Sequence, residues 1–127
     1  MNELSLAGTP IEHFHVCAFF DSREQEYDVL IPFFKEALDQ GEKTIHILNP
    51  ANMDDHRERL IQGGIDAHGC EACGQLELQT WQGAYLDDNG AFNKDRMLVT
   101  LNATCEAAAE AGYSRVRIMG NMDWAFD

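Results

Sequence analysis

The stretch FHVCAFFDSREQE, residues 14–26, decides how this chain is read. Phe14 to Phe20 is apolar at nearly every position, and a strand apolar on both faces belongs inside a parallel sheet covered by helices. Asp21 and Ser22 then open a helix. Ser22 and Gln25 stand at capping-box spacing, and Tyr27, Leu30, Ile31, Phe34 and Leu38 recur at helical intervals until Gly41 supplies the stop. Pro32 falls inside this helix and is expected to kink it, because proline removes one hydrogen bond and crowds the carbonyl four residues back.

Working outward, the same strand–helix unit returns. Thr44 to Leu48 reads as a second strand. Asn52 can cap a short helix whose first turn carries Asp54 and Asp55, placed for the positive end of the dipole, and Gly63-Gly64 ends it. After a brief segment from Ala67 to Cys73, Leu76 to Trp81 reads as a third strand. A turn-rich loop with Asp88, Asn89 and Gly90 at its tip leads to the longest helix, Lys94 to Ala111. Asn93 can cap it, Met97, Leu101, Cys105 and Ala108 form its inner face, and Gly112 stops it. Arg115 to Met119 is a fourth strand. This alternation, without repeats or low-complexity linkers, predicts an α/β fold: three layers, with a mostly parallel sheet and helices on both faces. The 127 residues suit a single domain over 1–127, with 1–12 a loose N-terminal segment.

Composition narrows the function classes. The hydrophobic fraction of 45% and charged fraction of 24% are globular values. Twenty-two acidic against nine basic residues leave a formal net charge of −13, which repels phosphate backbones, so direct nucleic-acid binding is not expected. No apolar run approaches the ~20 residues needed to span a bilayer, and the N-terminus lacks a secretion signal, so no membrane partner and a cytoplasmic location are expected. Cys17, Cys70, Cys73 and Cys105 read as thiols there.

Open parallel sheets bind ligands at the carboxyl ends of their strands. Those ends deliver Phe20, Asp21 and Ser22, then Asn49, then Trp81 with Tyr85 beyond it, then Asn121, Met122, Asp123 and Trp124. Aromatic and polar groups on one edge suit a small organic ligand; the plainer reading is that the aromatics only close the top of the core. His13, His15 and Cys17 alternate along the first strand and share a face that His46 could approach. A buried histidine and a buried small thiol account for them without metal, which needs three or four converging ligands. His68, Cys70 and Cys73 lack a fourth ligand for zinc and lie far from the place of a thioredoxin-type pair. No metal and no cofactor are therefore expected.

Hydrolytic and redox chemistry lack their usual frames. Residues 19–26, FFDSREQE, stand where a nucleotide hydrolase would carry a glycine-rich, lysine-ending phosphate loop, and they contain neither glycine nor lysine. The paired acids Asp54-Asp55 and Asp87-Asp88 sit where capping and solvation favour acids, and Ser22 has no evident base and orienter. The residues do not assemble a catalyst.

From residues 15–26, HVCAFFDSREQE, through 32–33, 38–43, 74–76, 84–86 with Gly90 and Phe92, to 120–124, GNMDW, the chain resembles the MEDS (methanogen/methylotroph sensory) family. That resemblance implies a RecA/KaiC-like fold without the phosphate loop, and a sensory domain for a small hydrocarbon derivative that works through a signalling or regulatory protein partner. His15, Cys17, Phe20, Ser22 and Glu24 match the family's first motif, and Trp124 its last. With Asn49, Trp81, Tyr85, Asn121 and Asp123 these are the expected ligand-binding residues. The family usually carries glutamate where Asn121 stands. Relatives continue past the Trp124 region with a further helix and strand, so the sheet looks truncated before them, and an exposed strand edge predicts a homodimer or strand-exchanged assembly. Two other functions remain open: a protein-interaction module with a vestigial pocket, and a thiol or metal enzyme built on His15 with Cys17 or on Cys70 with Cys73.

Overall fold

A computed structural model describes residues 5–10 and 15–126, without the side chains of residues 5, 9, 124 and 126. In chain order the elements are β1 (Ser5–Leu6), β2 (Thr9–Pro10), α1 (Arg23–Asp39), β3 (Lys43–Leu48), a 3-10 turn (Pro50–Asn52), α2 (Met53–Gln62), α3 (Ala67–Ala72), β4 (Leu76–Thr80), α4 (Trp81–Ala84), α5 (Lys94–Glu110), β5 (Val116–Gly120) and a closing 3-10 turn (Asp123–Phe126).

The sheet has three parallel strands in the order β4-β3-β5. Central β3 is buried at Thr44, Ile45, His46, Ile47 and Leu48, with Ile45 and Ile47 on one face and Thr44, His46 and Leu48 on the other. An apolar cluster lies on each face of the sheet. On one face, Leu76 packs with Leu30 and Phe34 of α1, Leu60 of α2, Ile65 just before α3 and Ala67 at its start. On the other, Ile45 and Ile47 pack with Trp81, Ala84, Tyr85 and Leu86, joined by Met97 and Leu101 of α5. Helices cover both faces, as the strand–helix alternation predicts. Cys105 differs: it is exposed, because the apolar stripe of α5 narrows to Met97, Leu101 and fully buried Ala108.

The helix ends follow their sequence signals closely. The Ser22 hydroxyl accepts from Gln25 N at 3.1 Å, and the Gln25 side chain accepts from Asp21 N at 2.6 Å. Asn93 caps α5 by accepting from Arg96 N at 2.9 Å. Asn52 precedes α2 but makes no capping bond; Asn49 instead accepts from Ala51 N and caps the 3-10 turn. That turn feeds straight into α2, so its own backbone already leads the helix in. α1 runs through Pro32 to a left-handed Gly41 (φ 74°), where Gly41 N donates to Leu38 O and Glu42 N to Ala37 O. This paired closure reverses the chain and drives Glu42 inward.

Of the N-terminal strand expected at 14–20, residues 15–20 are not part of the sheet. Phe14 lies outside the described residues, and residues 15–20 carry no regular secondary structure. Val16 is 49% exposed and Phe19 88% exposed; only Phe20 is half-buried, against the α1 core. An apolar run reports a preference for burial, whereas a strand also needs a neighbour's hydrogen-bond ladder, and among the described residues none receives this one. Within the segment read as loose, β1 and β2 pair as a hairpin whose turn residues Ala7 and Gly8 both have positive φ, the geometry two-residue hairpins favour.

Candidate functional site

The carboxyl ends of β3, β4 and β5 lie on one edge of the sheet because all three strands are parallel. Trp81 follows β4 directly, and its indole N–H donates to Asn121 O, just past β5, at 3.0 Å. Asn121 N donates in turn to Ile47 O of β3 at 2.9 Å. Tyr85 packs so close to the end of β5 that a methyl group on Gly120 would collide with its hydroxyl. The structure thus brings Trp81, Tyr85 and Asn121 together, with both aromatics buried.

The remaining expected residues divide. The side-chain oxygens of Ser22, Asn49 and Asn121 are engaged locally, accepting from Gln25 N, Ala51 N and Asp123 N. Asp123 lies 3.8 Å from the Arg23 guanidinium, which also reaches Glu26 at 3.5 Å, so the start of α1 and the segment after β5 face each other. Burial pushes the Glu26 carboxyl above its ordinary pKa, with Arg23 opposing. Glu24 is exposed on the first turn of α1, and Phe20 packs against the core beneath. Trp124 sits in the closing turn, its side chain outside the described residues. His15 and Cys17 are exposed on the irregular segment, not on a strand face, and His46 is fully buried, so the face they were to share does not form. Among the described residues, no group of three or more His, Cys, Asp or Glu side chains could hold a metal ion. Cys70 and Cys73 are free thiols on and just after α3, and burial raises Cys70.

On the face of β3 opposite Ile45, Ile47, Trp81 and Tyr85 lies a polar chain that the sequence reading did not find. Thr44 Oγ1 and His46 Nε2 are 2.9 Å apart; His46 Nδ1 and His56 Nε2, 2.7 Å; and His56 Nδ1 and the Tyr27 hydroxyl, 2.6 Å. Thr44, His46 and His56 are fully buried, and Tyr27 nearly so. The Phe34 ring stacks on His46 with centroids 4.0 Å apart, and the Arg59 guanidinium lies 5.1 Å over the Tyr27 ring. Burial lowers His46 well below its ordinary pKa, with His56 adding to the effect; burial lowers His56 to about 4 and raises Tyr27 to about 12. All three side chains are therefore neutral near pH 7. One signal for His56 was present: four residues before Leu60 on α2, it shares that residue's inward face.

A second polar cluster sits at the start of β3, where Arg117 of β5 pairs in register with Thr44. Buried Glu42 accepts from Arg117 Nε at 2.7 Å, and Arg117 Nη1 donates to Phe33 O at 3.0 Å. Glu36 and Arg115 approach the same pair at 3.5 and 3.7 Å. A separate open depression of about 320 Å³ lies along α1, lined by Ala7, Gly8, Asp28, Val29, Pro32, Phe33 and Glu36. None of the expected ligand residues lines it.

The fold and this edge define a three-layer α/β domain with a parallel sheet and buried polar groups on its central strand. The model of the MEDS family, described as the methanogen/methylotroph, DcmR sensory domain, matches residues 14–127, and the chain belongs to that sensory family. No curated protein and no solved structure matches it. Among the described residues, no helix is long and apolar enough to cross a membrane.

Proposed function

We propose that this chain is a non-catalytic cytoplasmic sensory module that binds a small hydrocarbon derivative at its strand-end edge and reports occupancy to a signalling or regulatory protein partner. Membership of a sensory family across residues 14–127 carries the reading. The convergence of Trp81, Tyr85 and Asn121 supports its location, since an apolar wall with a few placed polar groups suits such a ligand. Because Trp81 is buried and bonded to Asn121 O, a ligand lodging there must loosen that bond, giving two states of different ligand affinity. The strongly negative charge keeps nucleic acid out of the list of direct partners. The module is further proposed to form a homodimer through its exposed apolar segment.

A thermal-shift series with small alcohols, ketones and halogenated hydrocarbons, read alongside tryptophan fluorescence, tests this. A ligand that binds the folded state raises Tm with concentration and moves the fluorescence, and Trp81→Phe weakens both responses. If no compound moves either signal, the protein-interaction reading takes its place. That second reading draws on exposed Val16, Phe19, Ile118 and Met122.

A further inference from the structure

Three hydrogen bonds link Thr44, His46, His56 and Tyr27, and their bookkeeping is tightly constrained. A neutral imidazole carries one N–H and presents one lone pair. If His46 holds its proton on Nδ1, it donates to His56 Nε2. His56 must then hold its own proton on Nδ1 and donate to the Tyr27 oxygen, while the Thr44 hydroxyl donates to His46 Nε2. If His46 is protonated on Nε2 instead, every bond reverses: Tyr27 donates to His56 Nδ1, His56 Nε2–H to His46 Nδ1, and His46 Nε2–H to Thr44. No third arrangement of neutral rings satisfies all three bonds. The two rings share one tautomer, and the one hydroxyl proton left over belongs to Tyr27 in the first arrangement and to Thr44 in the second.

We propose that this hydrogen-bonded chain is a two-position switch, carrying donor–acceptor polarity between Tyr27 on α1 and Thr44 at the start of β3. Its three members beyond Thr44 come from three elements: His46 from β3, His56 from the first turns of α2, and Tyr27 from the first turns of α1. A ligand oxygen that accepts from Tyr27 selects the first arrangement, and an acceptor offered to Thr44 selects the second. Interconversion moves one proton across each of the three bonds in the same direction. Because Thr44 and Tyr27 are buried, the closing exchange, in which one hydroxyl gives up its outward proton and the other takes one up, occurs with solvent during local opening, so the chain keeps its charge. Burial makes the switch two-position: a buried ring left with a mismatched bond loses the full value of that bond, with no water to replace it. The proposal deepens the sensory reading and rests on it only for the nature of the input, so the ligand-free protein tests the switch by itself.

The experiment is nitrogen-15 NMR of the histidine rings in the ligand-free full chain at pH 7.5, with resonances assigned through His46→Gln and His56→Gln. In the wild type the two rings show the same proportion of each tautomer. Tyr27→Phe removes the hydroxyl from the His56 end. A buried orphan N–H is costlier than an idle lone pair, so both rings move to the Nε2–H form. Thr44→Val does the opposite, and both rings move to the Nδ1–H form. Opposite tautomers on the two rings in any of these proteins, or one shared tautomer in both variants, overturns the proposal. Should Thr44→Val fail to fold, the wild type and Tyr27→Phe still decide: mismatched rings in either, or a Tyr27→Phe pair that is not Nε2–H, defeats it.

Discussion

His46 and His56 are kept neutral by burial, which ties the stability of the fold to pH through two side chains. In the unfolded chain a histidine titrates near 6.5, whereas His56 in the fold titrates at about 4 and His46 well below its ordinary value. Between those limits the unfolded state binds more protons than the folded one. Stability is therefore complete above about pH 7 and falls as the pH drops from ~6.5 toward ~4, by ~1.4 kcal/mol per pH unit for each ring that stays neutral. The groups facing the pair do not reverse this. Thr44 and Phe34 are uncharged, and at His56 Asp55 and Glu71 pull upward while Arg23 and Arg57 push downward, all of them weaker than burial. Urea unfolding at a series of pH values from 7.5 to 4.5 should show a shallower pH dependence in His56→Gln than in the wild type. The carboxylates titrating in the same range contribute to both proteins and drop out of the difference. Equal slopes would mean that His56 is already protonated in the fold.

The elements were legible to different degrees, and the buried ion pair shows why. Capping residues, glycine stops and helical periodicity are local, so the bounds of α1 and α5 could be read to within a residue or so. Glu42 was legible only as part of the turn after Gly41. That it is buried against Arg117 depends on β5 lying beside β3, so that Lys43 pairs with Val116 and Thr44 with Arg117 in register. Arg117→Leu leaves the Glu42 carboxylate buried without its main partner and should cost about 3–5 kcal/mol of unfolding free energy by urea titration. Glu42→Leu should cost less, since Arg117 keeps Glu36 at 3.5 Å and the Phe33 carbonyl. The double substitution should recover most of the loss, because a well-packed apolar pair replaces a buried ion pair at little net cost. If the double variant loses as much as the sum of the two, the pair is not acting as a unit.

For the whole molecule, a net charge of −13 opposes self-association, so any dimer must form through its uncharged surface. The segment His15–Phe20 is such a surface: it lacks carboxylates, leaves Phe19 88% exposed, and joins no strand among the described residues. β5 has a neighbour only on its β3 side among the described residues, and Ile118 on it is 38% exposed. The proposed homodimer should give twice the chain mass by light scattering at micromolar concentration, and Phe19→Asp or Val16→Asp should shift it to the monomer. A monodisperse wild-type monomer would remove the dimer from the functional picture.

The sequence by itself determined the α/β alternation, the parallel sheet covered on both faces, the helix caps and the resemblance to a sensory family, because periodicity and capping are encoded within a few residues of where they act. It also placed Trp81, Tyr85 and Asn121 on one edge, since parallel strands must end together. Only the tertiary structure decided that residues 15–20 stay outside the sheet, that His15 and Cys17 do not meet His46, and that Thr44, His46, His56 and Tyr27 form one hydrogen-bonded chain. The physical reason is shared: a hydrogen-bond partner, whether for a strand edge or for a buried imidazole, is supplied by distant residues that only packing brings within 3 Å.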